Sequence, residues 1–213
     1  MNRLQPPSRL EVLAGHPATE AALTYVGAVS GNPLLALLPV LAKSLASERQ
    51  KQRVEGALTE MNAILTQHES LIRALTDEQY KLINESILAL LHTTSIAKIE
   101  YLRRAVANGL YATSVLPQEA IVLSRVIRDI SAEEADFVLK NFQYDRVQVS
   151  SSADGYGQTH LRVSPDSPEG LVALGLVSLG LLAEAEPNWD DSGMLRFSPI
   201  TAKLIALLRE PDL

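Results

Sequence analysis

The clearest pattern in the chain runs from residue 44 to residue 75. Val54, Ala57, Met61, Ile64, His68, Leu71 and Leu75 recur at alternating three- and four-residue steps, the spacing of one helix face. Leu58, Leu65 and Ile72 stand one place further on and widen that face beyond a two-position seam, as in a helix that meets a globular core or a broad helical partner. One unbroken helix over this segment measures about 48 Å. A compact domain of this length has a diameter of about 45 Å. The segment is therefore expected either to contribute to a dimer interface or to break near Gly56. Val54, Met61, Ile64, His68 and Leu71 are its interface candidates.

The next elements carry their own start and stop signals. Thr76 with Gln79 predicts a capping box. The helix it opens has Tyr80, Ile83, Ile87, Leu90 and Leu91 on one side and ends near His92. Thr94 or Ser95 starts another, with Ile99, Leu102, Val106 and Leu110 inward, and Asn108-Gly109 closes it. Pro117 suits a first helical position ahead of the stripe Leu123, Val126, Ile127 and Ile130. Ser131 with Glu134 predicts a second capping box, followed by Ala135, Val138, Leu139 and Phe142.

At residue 143 the period changes from the helical value to two. Val147 and Val149, then Leu161 and Val163, alternate with polar neighbours across a loop containing Asp154-Gly155, which predicts a β-hairpin. Ser167-Pro168 caps an apolar segment, Leu171 to Leu182, expected to be buried because it is apolar all round. Two short strands at 183–186 and 194–197 flank a turn at 188–193, and a last helix runs from Ser198-Pro199 to Arg209. The expected fold is mainly α with small β-hairpins (α+β): a helical domain at 1–110 and a winged-helix-like domain at 111–213.

Composition narrows the chemistry. The 213 residues are 46% apolar and 21% charged, as in ordinary globular protein, and they include no cysteine. Disulfides, thiolate metal sites and a cysteine nucleophile are thereby excluded, and a reducing cytoplasm is the expected setting. The net charge is −6, of which −5 falls in residues 144–213 (five basic, ten acidic). Basic residues are not clustered as duplex binding requires, so nucleic acid is disfavoured as a partner. Residues 21–42 carry no charge, but Gly27, Gly31, Pro33 and Pro39 interrupt them. They read as two short buried helices, about 18–29 and 33–46, with Asn32 as N-cap and Pro33 first in the second. A membrane-active segment is the alternative.

No reactive constellation emerges. His16, His68, His92 and His160 lie too far apart in sequence to form a zinc motif. Gly155-Tyr156-Gly157 is a lone GxG, and Gly170, Gly175 and Gly180, five apart, share no helix face. Asn188, Asp190, Ser192 and Gly193 match the first half of a calcium loop, but Pro199 stands where its bidentate Glu belongs. Ser150-Ser151-Ser152 lacks the strained strand–turn–helix of a nucleophile elbow. No catalytic residue, cofactor, metal or small-molecule substrate is expected. Trp189, the single tryptophan, joins the interface candidates as an aromatic at a turn tip.

The order of helix, two-stranded wing and helix resembles a winged-helix module, whose recognition helix reads the major groove. Yet Leu171 to Leu182 contains no Lys, Arg, Asn or Gln, the side chains that make most base and phosphate contacts. Residues 111–208 also resemble the abortive-infection alpha family of bacterial proteins. The resemblance lies in the helix Ile121 to Ile130, the start Ser131-Ala132-Glu133-Glu134-Ala135, the apolar Leu171 to Leu182 segment, and the entry Arg196-Phe197-Ser198-Pro199-Ile200-Thr201. It implies a place in phage defence and supplies no catalytic motif. The expectation is a non-enzymatic protein that binds a protein partner or forms a homo-oligomer. A winged-helix DNA-binding regulator and a membrane-active effector acting through residues 21–42 are the alternatives.

Overall fold

The computed structural model describes residues 48–150, 160–185 and 194–210. The two helices expected at 18–29 and 33–46, His16, Ser151-Ser152, the glycines at 155 and 157 and the 188–193 turn with Trp189 lie outside them. The described chain is α+β and mainly helical. It comprises α1 (Glu48–Gln67), α2 (Glu69–Arg73), α3 (Asp77–Ala89), a 3-10 turn (Leu90–His92), α4 (Ile96–Gly109), α5 (Pro117–Asp129), α6 (Ala132–Asn141), β1 (Arg146–Val149), β2 (His160–Val163), α7 (Pro168–Ser178), β3 (Leu182–Glu184), β4 (Met194–Phe197) and α8 (Pro199–Leu208).

The chain divides into two units between Gln67 and His68. In the first, α1 runs through Gly56 without interruption, because that glycine lies in open space. A glycine inside a helix costs only about 1 kcal/mol against alanine, which the burial of Val54, Ala57, Leu58 and Met61 offsets. The break comes instead at His68, whose φ of −112° and ψ of 35° leave the helical region. Its carbonyl accepts the N–H groups of both Leu71 and Ile72 and so starts the short α2.

In the second unit, α3 packs against α4 and α5, and α8 packs against α4 and α6. Residues 68–110 thus share a core with the C-terminal half. The caps read from sequence hold the helix starts. Thr76 and Gln79 form a reciprocal capping box, as do Ser131 and Glu134, and Ser95 caps α4. Gln79 does more than cap: its buried amide also donates from Nε2 to the Leu110 carbonyl at 2.8 Å, tying the start of α3 to the end of α4. Leu82, Leu102, Val106, Leu123, Ile127, Val138 and Leu204 fill the core between these helices. Phe142, just past the end of α6, is partly exposed and packs on Phe197 with ring centroids 5.4 Å apart.

The sheet order is β2-β1-β4-β3. The expected hairpin between 147–149 and 161–163 is not formed. β1 and β2 run parallel, Val147 opposite Leu161 and Val149 opposite Val163. Alternation at period two is the same for either direction, so the pattern could not distinguish them. The ten residues 150–159 reach up to about 33 Å, enough to return alongside a four-residue strand. The two antiparallel pairings are β1 with β4 and β3 with β4.

Candidate protein-contact face

Helix α7 departs most from its sequence reading. It was expected to be buried all round and to extend to Leu182, but it ends at Ser178 and presents one face outward. Gly180, at φ +72°, closes it in a left-handed conformation that favours glycine. The Leu181 N–H bonds the Leu176 carbonyl and the Gly180 N–H bonds that of Val177, completing a Schellman motif with Leu176 and Leu181 both buried. The N-terminal end of α8 then locks this stop in place. Ser198 Oγ donates to the Gly180 carbonyl at 2.7 Å, and Thr201 Oγ1 donates to the Leu181 carbonyl at 2.8 Å. The chain is thereby free to enter β3 at Leu182.

Two rows run along α7. Gly170, Ala173 and Leu176 are buried, whereas Leu171, Leu174 and Val177 are 67%, 54% and 37% exposed. The buried row starts with small residues because backbone approaches closely there. A Cβ on Gly170 would collide with the carbonyls of Ser164 and Pro165. A Cβ on Gly175 would displace the Glu134 carboxylate, which accepts the Ser131 N–H at 2.7 Å in the α6 capping box. The five-residue spacing of Gly170, Gly175 and Gly180 therefore reflects three separate demands: two close approaches and one helix stop. The pairing of Gly170 with Ala173 was the available sequence signal, since small residues three apart mark the side from which neighbours press.

Helix α7 and the elements next to it carry exposed carboxylates. Glu133 in the first turn of α6, Asp166 in the turn before α7, Glu169 in its first turn and Glu184 on β3 are all exposed. On α6, α7, β3, β4 and the 164–167 turn, the basic residues are Lys140, which pairs with Asp136, and Arg196.

The interface candidates read from sequence differ in exposure. Val54 and Met61 are fully buried, while Ile64 and Leu71 are half-buried. His68, also half-buried, meets the exposed Tyr111 ring edge-on, with centroids 6.0 Å apart. Trp189 lies outside the described residues. His92 is exposed at the end of the 3-10 turn, and His160 opens β2. Among the described residues, no group of three or more His, Asp or Glu is placed to hold a metal ion, and no helix is long and apolar enough to cross a membrane.

A cleft of about 400 Å³ opens between the end of α4 and α8, lined by Asn108, Tyr111, Ser114, Lys203 and Arg209 among others. Its polar groups serve as ties. Lys203 Nζ donates to the Ser114 carbonyl at 3.0 Å and to the Glu119 carboxylate at 2.5 Å. Asn108 Nδ2 donates to the carbonyls of Leu207 and Arg209, each at 2.9 Å. The bond from Lys203 and that from the Leu116 N–H hold the Glu119 carboxyl below its ordinary range. The arrangement fastens α8 to α4 and α5.

Nearby, Tyr101 donates to Asp136 at 2.5 Å, and Asp136 also pairs with Lys140. Burial, reinforced by the bond to the carboxylate, pushes the Tyr101 hydroxyl up to about 12. Bonds from Lys140 and then Tyr101 hold the Asp136 carboxyl low. A phenol held so firmly protonated is a poor base at neutral pH. Of the exposed large apolar side chains among the described residues, Leu171, Leu174 and Val177 stand three apart on one helix, whereas Ile96, Leu116 and Ile121 share no such spacing. No family model matches the chain, and no curated protein or solved structure matches it.

Proposed function

We propose that this chain is a non-enzymatic protein-interaction component that uses α7 as its contact element. The observation that carries the reading is the outward row Leu171, Leu174 and Val177, held on a helix fixed at both ends. Full burial of a Leu or Val side chain is worth about 1.5–3 kcal/mol. A rigid helix presents that gain without the entropy cost of ordering a loop. The resemblance of residues 111–208 to the abortive-infection alpha family supports a setting in phage defence, where a protein partner or a further copy of the chain is the natural target.

The test replaces the row by Leu171→Ser, Leu174→Ser and Val177→Ser together. Pairwise interaction is then measured between the full chain and each protein encoded beside it, and between two copies of the chain. An interaction seen with the natural chain and lost in the triple variant supports the reading. Interactions indifferent to the substitutions overturn it, as does reproducible hydrolase or transferase turnover.

The layout around α7 favours a second reading, a winged-helix DNA-binding regulator. The helix directly precedes the antiparallel pair β3–β4, in the place of a recognition helix before its wing. Salt-sensitive duplex binding is the measurement that decides it, and its absence at low salt removes it. The row on α7 bears no hydrogen-bond donor for bases, so the protein-contact reading is preferred.

A further inference from the structure

We infer that the polar face of the sheet binds a small ligand carrying linked phosphoryl groups, a pyrophosphate or a nucleoside polyphosphate. The inference goes beyond the protein-contact reading and does not depend on it.

Strand pairing collects on this face what the chain keeps apart. Successive side chains of a strand point to opposite faces, so the register decides which residues stand together. Val147, Leu161, Val163 and Leu195 are buried on one face. The other holds Arg146 beside His160, and Gln148 between Arg162 and Met194. Continued by one residue, the β1–β4 register sets Arg146 across from Arg196, which has Ala183 on its far side. The line of His160, Arg146 and Arg196 thus crosses three strands in about 10 Å. Arg162 stands two residues along β2 from His160, about 7 Å away. Glu184 is the single carboxylate in the four strands, and alternation puts it on the apolar face, beside Leu195.

Like charges directly opposite each other destabilise a sheet. Arg146 against Arg196 becomes a favourable placement when an anion lies between them. The guanidinium forks each grip an oxyanion through two N–H groups. Ala183, exposed beside the exposed Arg196, leaves that end of the face open. Arg146, His160 and Arg162 also make interactions within the chain, so a ligand that competes for them needs more than one charged group.

The surrounding charge sets the size of the ligand. Residues 144–213 hold five basic and ten acidic groups, and three of those five are Arg146, Arg162 and Arg196. A long polyanion on this face meets repulsion beyond it. A compact anion stays within one screening length of the arginines, about 10 Å, and feels mainly the cluster. The strands also place no Phe, Tyr or Trp on this face for the bases of a single strand to stack on.

Isothermal titration calorimetry of the full chain with pyrophosphate tests the inference. Orthophosphate, ATP, an oligothymidylate and an oligoglutamate peptide are run beside it at equal ionic strength. Pyrophosphate is expected to bind about tenfold more tightly than orthophosphate, because it reaches more than one arginine. Arg146→Gln and Arg196→Gln should each weaken it about tenfold. Arg125→Gln, which removes the same charge from an exposed position on α5, should leave it unchanged. Arg196 is exposed, so its variant serves where Arg146→Gln does not fold. An ATP affinity equal to that of pyrophosphate identifies the phosphoryl chain alone as the ligand and a higher one a nucleotide, and either supports the inference.

No pyrophosphate binding at about 1 mM overturns it. Equal weakening by Arg125→Gln does the same, because net charge and not this face is then being felt. Tighter binding of the oligothymidylate or the oligoglutamate, lost in Arg196→Gln, also overturns it and makes a polymer the occupant. The triple serine variant of α7 keeps pyrophosphate binding, so each reading can fail without the other.

Discussion

The Tyr101–Asp136 contact moves two titrations in opposite directions, beside a larger cause at each: burial for Tyr101 and the bond from Lys140 for Asp136. Burial and the bond to Asp136 favour the neutral phenol, so its ionisation is delayed to about 12. The folded value lies above the ordinary 10.0. This contribution to stability is therefore complete below pH 10 and is lost as pH rises towards 12. Ultraviolet titration of the chain should show one tyrosine ionising near 12, and Asp136→Asn should bring it part of the way back, because the burial remains. Gln79 illustrates the cost of a buried polar tie. Gln79→Ala leaves the Leu110 carbonyl without the amide that now donates to it and removes the capping partner of the Thr76 N–H. Urea denaturation should show a loss of about 1–3 kcal/mol.

At the scale of elements, α7 owes its position to absent side chains. Gly175→Ala adds a methyl group where Glu134 now lies and so sets the helix-propensity gain of alanine against loss of the α6 cap. The two positions should couple by about 1 kcal/mol: Gly175→Ala is destabilising or neutral in the natural chain and stabilising in a Glu134→Ala background. A double-mutant cycle in urea checks this. Gly170→Ala meets backbone carbonyls that cannot swing aside, so a loss of about 1–3 kcal/mol is expected with no rescue from any single side-chain change. The α7 stop works the same way. Gly180 allows the turn, and Ser198 and Thr201 at the start of α8 donate the bonds that keep it.

For the molecule as a whole, the outward row and the core respond differently to substitution. The three serines on α7 fall on partly exposed positions, so stability should stay within about 1.5 kcal/mol of the natural chain while interaction is lost. Thermal denaturation beside a binding assay separates the two effects. Acid tells how far ion pairs hold the second unit. Glu100, bonded first to Arg103 and then Arg104, Glu119 and Asp136 all have carboxyls below their ordinary values of 4.5 and 3.8. Their folded values are depressed, so their contribution is present above those values and is lost as pH falls through the folded ones. Stability followed by circular dichroism should therefore decline below about pH 4.5.

Much of this fold was legible because its signals are local. Thr76 with Gln79 and Ser131 with Glu134 satisfy the orphan N–H groups at helix starts, using residues within one turn, so their roles can be read without knowing the rest of the chain. The inward stripe of α5 follows from periodicity in the same way, and the limits of β4 from the turn and the Ser198-Pro199 helix entry on either side of it. Other features depend on what lies across a gap that sequence spacing does not measure. Alternation placed β1 and β2 but carries no direction, so only their pairing made them parallel. A segment as uniformly apolar as Leu171 to Leu182 has no polar side to mark its outward face. Which residues of α7 are left for a partner was decided by Ser164, Pro165 and Glu134 pressing against its glycines. The sequence by itself determined where helices begin and which residue types are available for chemistry; tertiary packing decided which apolar side chains remain uncovered, because burial depends on neighbours far along the chain.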